Sequence, residues 1–202
     1  MKGYIFDLDG VLVDTAKYHY LAWKTIANEF NFELTPAHNE QLKGIGREVS
    51  LHKILEWAGK TLTEEAFQDT ALRKNQLYLQ YISHINSSEL LPGVSSFLNQ
   101  LKAENKKIAL GSASRNARLV LERTGILPLF DAIVDGTMVT KAKPDPEVFL
   151  QAAQLLHLSP TDCCVYEDAP AGVKAAKSAG MYVVGVGNPE VLNEADEVIK
   201  SF

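Results

Sequence analysis

Two pairs of acidic residues each follow a short apolar run in this chain of 202 residues. Asp7 and Asp9 stand in "YIFDLDG", and Glu167 and Asp168 end "CCVYED". Carboxylate oxygens are hard ligands that suit an octahedral cation such as Mg²⁺, which keeps part of its water. A carboxylate can also act as a nucleophile. Brought together, the four residues would form a divalent-metal site that contains a nucleophile, which is the outline of phosphoryl-transfer chemistry.

The two apolar runs have the composition of buried parallel strands. Residues 4–6 and 163–166 are continuous and apolar, which is typical of strands covered by helices on both faces. Ligands of open α/β sheets bind beyond the carboxyl ends of the strands, where both acidic pairs would lie. An extended chain would turn Asp7 and Asp9 the same way, and Gly10 permits a sharp exit. We therefore expect the four carboxylates to converge.

Two further residues have types that fit a phosphate site. Ser112 ends the run "KIALGS", and Lys143 precedes a proline in "KAKPDPEVF". A hydroxyl and an ammonium group can both donate hydrogen bonds to phosphate oxygens. Each feature alone has an ordinary interpretation, because Asp-X-Asp often marks a turn or helix cap, serines often end strands, and loop lysines are usually solvated. The order of all these residues along the chain favours a catalytic site.

The spacing of the strands predicts an inserted domain. The first strand ends near Asp7, whereas the next convincing strand, residues 107–111, begins about a hundred residues later. An ordinary βα crossover is far shorter. Apolar residues between them recur at helical spacing: Ala16, Tyr20, Trp23, Ala27 and Phe30, then Ala71, Leu72, Tyr78 and Ile82. We expect an α-helical cap domain in this interval.

The remainder alternates between apolar runs and amphipathic segments. Strands are predicted at 131–135 and 182–187 in addition to those above, with helices between them, one of them capped by Asp145 and Pro146. This alternation predicts an α/β fold, a doubly wound parallel sheet of Rossmann-like type. The expected division is a core of residues 1–14 and 89–202 and a cap of residues 15–88.

Composition limits the classes of partner. With 46% hydrophobic residues, a formal net charge of −5 and a pI near 5.6, the chain predicts a globular protein that binds neither nucleic acid nor an anionic membrane. No apolar leader or membrane-length run is visible, so a cytoplasmic location and a monomer are expected. Cys163 and Cys164 are adjacent in a predicted strand, which favours two core residues over a disulfide or a metal pair.

The ordered set of motifs resembles the haloacid dehalogenase-like superfamily of aspartyl-phosphate phosphotransferases. "DLDG", a strand ending in serine, a lysine before proline, and "ED" follow one another over nearly the whole chain. More narrowly, "FDLDGVLVDTAKYHYLAW", "NEQLKGIGRE", "RKN", "GSASRNA", "KPDPEVF" and "EDAPAGVKAAKSAG" look like the β-phosphoglucomutase family, including its cap segments. The resemblance implies the same core fold with a helical cap.

The resemblance also implies roles for the core residues. Asp7 resembles the nucleophile that forms an aspartyl-phosphate, and Asp9 the general acid and base. Ser112 and Lys143 would bind the oxygens of the transferring phosphoryl group. The implied cofactor is Mg²⁺, and its implied ligands are Asp7, the Asp9 backbone carbonyl, Asp168 and, as an open choice, Glu167.

Further residues match the family's substrate-binding segments, and the implied ligand is a small phosphorylated sugar. The non-transferring phosphate would be held by Arg47 of the cap and by the loop after the second strand, where guanidinium geometry suits phosphate. His19 and Lys74 would couple cap closure to the placement of Asp9, although a lone helical histidine or lysine is usually a packing or solvated residue. The full implied set is His19, Trp23, Gly44, Gly46, Arg47, Lys74, Ala113, Ser114, Arg115 and Asn116.

The implied reaction is the interconversion of β-D-glucose 1-phosphate and D-glucose 6-phosphate through β-glucose 1,6-bisphosphate. Two other functions stay open from the sequence. One is a Mg²⁺-dependent sugar-phosphate phosphatase of the same superfamily, in which water completes the reaction. The other is a phosphosugar-binding regulator without turnover, which the intact Asp7, Asp9, Lys143 and Asp168 disfavour.

Overall fold

The computed structural model describes residues 1–202, and a parallel sheet of six strands lies at its centre. The strands occur in the order β3-β2-β1-β4-β5-β6. The chain therefore adds β2 and β3 on one side of β1 and then β4, β5 and β6 on its other side. Their bounds are β1 Gly3–Phe6, β2 Lys107–Gly111, β3 Ala132–Val134, β4 Cys163–Glu167, β5 Tyr182–Val186 and β6 Glu197–Ile199. The predicted doubly wound α/β sheet is confirmed.

Eight α-helices surround the sheet or follow β1. Their bounds are α1 Ala16–Glu29, α2 Pro36–Glu40, α3 Arg47–Ala58, α4 Glu64–Tyr81, α5 Val94–Ala103, α6 Ala117–Thr124, α7 Glu147–Leu155 and α8 Pro170–Ser178. None of them combines the length and apolar content that a bilayer crossing requires.

Alternation of side chains along β1 and β4 explains why both strands are wholly apolar. Phe6 and Cys164 belong to a core cluster with residues of α5 and α6, whereas Ile5 and Cys163 belong to a cluster with residues of α7 and α8. Each strand therefore buries both of its faces under helices, as a parallel sheet requires. Both cysteines are buried and free, as the sequence predicts.

The helices after β1 have a hydrophobic cluster of their own. It contains Trp23, Ile26, Leu51, Ile54 and Phe67, among others, and all its buried members lie between residues 23 and 71. All six strands lie outside residues 15–88. The division into core and cap at the stated boundaries nevertheless stays a prediction.

Several local predictions need correction. Leu72 was expected on the buried face of its helix, but it is 53% exposed, because at 100° per residue it is rotated away from Ala71 and Tyr78, which are buried. The strand predicted at 131–135 covers only Ala132–Val134, and β6 was not predicted. Both strands have three residues with at most one of them buried, so their apolar signal is weak.

Candidate active site

The centre of the site is a buried ion-pair cluster at the carboxyl end of the sheet. Asp7 follows β1 directly and is 4% exposed. Lys143 Nζ donates to Asp7 Oδ1 at 2.7 Å, to Glu167 Oε1 at 2.6 Å and to the Gly111 carbonyl at 3.1 Å. The three donor hydrogens of the ammonium group thus have three acceptors. Parallel pairing of β1 with β4 brings Asp7 and Glu167 to the same edge, and Lys143 reaches them from the loop between β3 and α7.

Asp7, Glu167 and Asp168 offer ligand atoms that lie within 4.8 Å of one another. Glu167 is already engaged on both oxygens, by Lys143 and by the Ala169 N–H at 2.9 Å. Asp168 Oδ1, in contrast, is buried with no hydrogen-bond partner. A buried polar atom without a partner is costly unless a ligand or ion satisfies it, so this carboxylate set fits a divalent cation. The predicted convergence of Asp7 with Asp168 is confirmed.

Burial and mutual repulsion raise the pKa values of two of these carboxyl groups. Burial raises the pKa of Asp7 to about 7; the charge of Lys143 opposes this rise, and Glu167 reinforces it. Burial also raises the pKa of Asp168 well above its usual value, with Glu167 and Asp7 as further causes. Placing several carboxyl groups close together in a buried site is unfavourable, and a bound cation would offset this cost.

Two glycines make this crowding sterically possible. A Cβ atom at Gly10, where φ is +83°, would overlap the Asp168 carboxylate. A Cβ atom at Gly172, in the first turn of α8, would overlap the Glu167 carboxylate. Glycine at both positions therefore lets the backbone approach the acidic pair closely.

Asp9 points to the cap rather than to the acidic cluster. The Thr15 hydroxyl donates to Asp9 Oδ1, and His19 Nε2 lies 3.6 Å from Asp9 Oδ2. Burial by itself would raise the pKa of Asp9, but His19, Thr15 and Lys74 together hold it below its usual value. The Asp9 carbonyl oxygen accepts no backbone hydrogen bond, so it is free for another ligand.

Lys74 is a buried cap lysine, 3% exposed, that contacts His19. Its Nζ lies 2.7 Å from His19 Nδ1 and packs over the rings of Trp23 and Tyr78 at 4.7 and 5.2 Å. An ammonium group can only donate, so it selects the histidine tautomer whose hydrogen is on Nε2, facing Asp9. Burial, with the nearby charge of Arg47, lowers the pKa of Lys74 to about 7.

The loop after β2 forms the opposite wall of the cleft. Ser112 is 2% exposed, and its Oγ accepts from the Ser114 N–H at 3.1 Å, so its own hydrogen is available to a ligand. Ser114 Oγ in turn accepts from the Asn116 N–H at 3.3 Å, just before α6 begins. These bonds hold the loop in a compact turn over the end of the sheet.

Cap and core make direct polar contacts across the cleft. Arg47 Nη2 and Asn116 Nδ2 both donate to Asn75 Oδ1, each at 2.8 Å. Arg115 Nη2 forms an ion pair with Glu48 Oε1 at 2.9 Å, in which both side chains are half-exposed. The Asn75–Asn116 hydrogen bond and the Arg115–Glu48 ion pair therefore join the cap to the core.

One cleft collects most of the predicted site residues. It is lined by Asp7, Asp9, His19, Trp23, Gly44, Arg47, Lys74, Ser112, Ala113, Ser114, Arg115 and Asn116. Lys143, Glu167 and Asp168 do not line it and lie behind Asp7. Gly46 does not line it either, because it caps the amino terminus of α3, where its carbonyl accepts from Ser50.

Sequence reasoning did not select several residues that line the cleft: Ala16, Asn39, Leu42, Lys43, Ile45, Ser50 and Asn75. Thr15, the partner of Asp9, was also missed. Asn75 follows Lys74 in "RKN", and Lys43 precedes Gly44. A position next to a selected residue was therefore the sequence signal that could have identified them. Lys43 Nζ lies 3.9 Å from Asp168 Oδ2 in the structure.

Comparisons with known proteins agree with this geometry. A family model described as haloacid dehalogenase-like hydrolase matches residues 1–180. The chain is 50% identical to the β-phosphoglucomutase of Bacillus subtilis over 202 residues, which cover 99% of this chain and 89% of that protein. It is 30% identical to a phosphorylated carbohydrates phosphatase of Thermotoga maritima, over 90% of this chain and 82% of that protein.

A solved structure is also closely similar. The crystal structure of β-phosphoglucomutase from Clostridium difficile superimposes with a TM-score of 0.97 at 44% identity, covering 100% of this chain and 91% of that one. A shared sheet, an acidic cluster at its carboxyl edge and a family match over most of the sequence lead to one conclusion. The chain belongs to the haloacid dehalogenase-like hydrolase family.

Proposed function

We propose that this protein is a β-phosphoglucomutase, which interconverts β-D-glucose 1-phosphate and D-glucose 6-phosphate through β-glucose 1,6-bisphosphate. The observation that carries the proposal is the placement of two carboxylates with different environments. Asp7 is buried beside Lys143, whereas Asp9, two residues later, faces the cap through Thr15 and His19. The 50% identity to the mutase of Bacillus subtilis over the whole chain supports the same reaction.

The first half-reaction is transfer of a phosphoryl group to Asp7. A carboxylate oxygen of Asp7 attacks phosphorus and forms an O–P bond, while the P–O bond to the sugar breaks. Asp9 donates a proton to the departing sugar oxygen, so the sugar leaves as an alcohol rather than an alkoxide. In the second half-reaction Asp9 removes a proton from another sugar hydroxyl, which attacks the aspartyl-phosphate and restores Asp7.

Lys143 and Ser112 contribute charge and hydrogen bonds at the transferring group. Lys143 Nζ lies 2.7 Å from Asp7 Oδ1, so the positive charge of the ammonium group lies beside the carboxylate that attacks phosphorus. The free Ser112 hydroxyl hydrogen can donate to a phosphoryl oxygen. Both groups are fixed by the fold before substrate arrives, which lowers the cost of reorganisation.

The proposed cofactor is Mg²⁺. Asp7, Asp168 and the Asp9 carbonyl would hold it, and Glu167 would act mainly by holding Lys143 and the turn before α8. When bound, Mg²⁺ supplies positive charge that offsets repulsion between the nucleophile and the phosphate. The unpartnered Asp168 Oδ1 supports this assignment.

The cap and the loop after β2 would bind the phosphate that is not being transferred. Arg47, Ser114, Arg115 and Asn116 line the same cleft and together offer two guanidinium groups, a hydroxyl and an amide as hydrogen-bond donors. Their guanidinium groups suit a phosphate dianion. The remaining cleft residues, His19, Trp23, Gly44, Lys74 and Ala113, would surround the sugar and the Asp9 carboxylate.

The alternative is a sugar-phosphate phosphatase, which the similarity to a phosphorylated carbohydrates phosphatase keeps in view. The two functions differ in which nucleophile attacks the aspartyl-phosphate. A sugar hydroxyl gives the mutase, and water gives the phosphatase. A cap held against the core by polar contacts disfavours water in the cleft, which supports the mutase.

The test is a turnover assay on β-glucose 1-phosphate with Mg²⁺, with and without β-glucose 1,6-bisphosphate. Glucose 6-phosphate and free phosphate are followed separately. The mutase produces glucose 6-phosphate with little free phosphate, and the bisphosphate accelerates it. Free phosphate released as fast as substrate disappears would establish the phosphatase instead.

A further inference from the structure

Asn75 has a bonding arrangement that the functions assigned above do not use. It lies on α4 next to Lys74 and lines the cleft. Its Oδ1 accepts two hydrogen bonds of 2.8 Å, one from Arg47 of the cap and one from Asn116 of the core. One amide oxygen thus joins two helices of the cap, α3 and α4, to the amino terminus of α6.

The orientation of the Asn75 amide follows from its partners. Arginine can only donate, so the atom of Asn75 that faces Arg47 must be the oxygen. The atom of Asn116 that faces the same oxygen must then be its amide nitrogen. Both lone pairs of Asn75 Oδ1 are occupied, and its amide nitrogen has no partner within the protein.

The group that accepts the hydrogen bond from Arg47 is a neutral amide, and this affects the charge of the site. Arg115 is held by the Glu48 carboxylate, which offsets its charge. Arg47 is held by Asn75, a neutral acceptor that fixes the guanidinium group without offsetting its charge. An arginine that is fixed and still fully charged binds a phosphate with little loss of side-chain freedom.

We propose that Asn75 is a positioning residue that holds Arg47 and Asn116 together across the cleft and so sets the geometry of the site for the non-transferring phosphate when cap and core are in contact. The inference rests on the proposed function, since the mutase needs a second phosphate site. Asn75 lies outside the two segments to which the sequence motifs assign binding of this phosphate, the one that contains Arg47 and the loop after β2. Asn75 is also a second contact between cap and core, beside the Arg115–Glu48 ion pair.

The experiment is a double-mutant cycle on binding rather than on turnover. All proteins carry Asp7→Asn, which blocks transfer, and are titrated with β-glucose 1,6-bisphosphate in the presence of Mg²⁺ by calorimetry. Asn75→Ala should raise Kd about tenfold, and Arg47→Ala should raise it further. Asn75→Ala should cost less affinity in the Arg47→Ala background than in the parent, because part of its effect acts through Arg47.

Gln76→Ala is the matched control, since it removes an exposed amide from the next position of α4. Alanine has a higher helix propensity than asparagine, so Asn75→Ala is expected to fold, and thermal unfolding checks this. Losses that add in the double variant, or an Asn75→Ala variant that binds as tightly as Gln76→Ala, would overturn the inference.

A second titration separates this inference from the proposed function. The same variants are titrated with inorganic phosphate, which needs only an anion site. If the bisphosphate does not bind to the Asp7→Asn protein, the mutase proposal fails, and coupling between Asn75 and Arg47 toward inorganic phosphate still decides the inference. Absence of coupling with both probes refutes it.

Discussion

The core and cap sides of the site, its core wall and its cap wall, hold their charges in opposite ways. On the core side, Asp7, Glu167 and Lys143 are each less than 5% exposed and bond to one another. On the cap side, Arg47 and Glu48 are half-buried and bond to residues of the other wall or of a neighbouring helix. The core wall keeps its contacts whether or not the cap is near, whereas the cap wall has partners that a phosphate can replace.

This difference indicates a division of labour. Groups that take part in bond making need a fixed geometry, and a parallel sheet edge supplies it because neighbouring strands end together. Groups that select and enclose a substrate must release it, so their protein contacts are exchangeable. Four predictions test this contrast, beginning with the largest expected effect.

Replacing the nucleophile should remove the reaction entirely. Asp7→Asn should lower mutase turnover by at least about 10³-fold, because no carboxylate is left to form the phosphoenzyme. Incorporation of label from a phosphorylated substrate into the protein should disappear as well. Asp69→Asn, the same change on an exposed helix face, is the control. Labelled protein in the Asp7 variant would place the nucleophile elsewhere.

Lys143→Met should destabilise the folded protein as well as inactivate it. The change leaves the buried carboxylates of Asp7 and Glu167 without their counterion, which should cost about 3 kcal/mol of unfolding free energy at neutral pH. Urea unfolding gives the value. Lys141→Met, at a lysine whose side chain is 70% exposed, should change it very little. Equal effects of the two variants would mean that the core wall is no more fixed than the surface.

Arg47→Ala should impair substrate binding while leaving the core chemistry intact. Loss of charge-assisted bonds to the distal phosphate should raise KM for β-glucose 1-phosphate about tenfold to hundredfold. Phosphorylation of Asp7 by a small acyl phosphate should proceed as before, since that donor has no second phosphate. Arg118→Ala, an exposed arginine on α6, is the control. A parallel loss in both reactions would contradict the distal role of Arg47.

Lys74 should give the cap a pH-dependent stability. Burial lowers its pKa to about 7 in the folded protein, from 10.5 in its ordinary state. Between about pH 7 and 10.5 the unfolded chain therefore binds more protons at this residue, and the stability of the folded form rises with pH. Lys74→Met removes this pH dependence. The free energy of unfolding of the variant minus that of the wild type should therefore be largest near neutral pH and decrease as the pH rises.

Urea titrations at several pH values measure this difference, and Lys60→Met, at an exposed lysine, serves as the control. If the Lys74→Met and wild-type curves stay parallel across the range, Lys74 titrates normally in the fold. The contrast between a fixed core wall and an adjustable cap wall would then lose its electrostatic part.

Local patterns were sufficient for the elements that carry catalysis. Continuous apolar runs located β1, β2 and β4, and the acidic residues after β1 and β4 indicated where the sheet edge would be chemically active. Asp145, expected to cap a helix, lies one residue before the actual N-cap of α7, Pro146, although its side chain accepts from the Glu147 N–H at 3.0 Å. Short elements such as β6 were missed because three residues with an exposed member carry little periodic signal.

The residues that sequence reasoning missed share a different property. Thr15 and Asn75 have common polar side chains whose importance comes from particular partners, Asp9 six residues earlier for Thr15 and Asn116 of the core for Asn75. No local pattern distinguishes such a residue from a solvated one. Gly46, which its motif selected for substrate binding, is the N-cap of α3, and its role toward a substrate stays a prediction.

The amino-acid sequence by itself determined the order of strands and helices and the side chains available at each strand end, because hydrophobic periodicity and residue type are local properties. Only the tertiary structure decided which of those side chains meet. Lys143, in the loop after β3, binds Asp7 because the parallel pairing of β1, β2 and β3 brings the ends of these strands to one edge, and Asn75 bridges Arg47 and Asn116 because the cap packs onto the core. Such contacts depend on the distances between segments, which are set only when the helices and strands pack together in the tertiary structure.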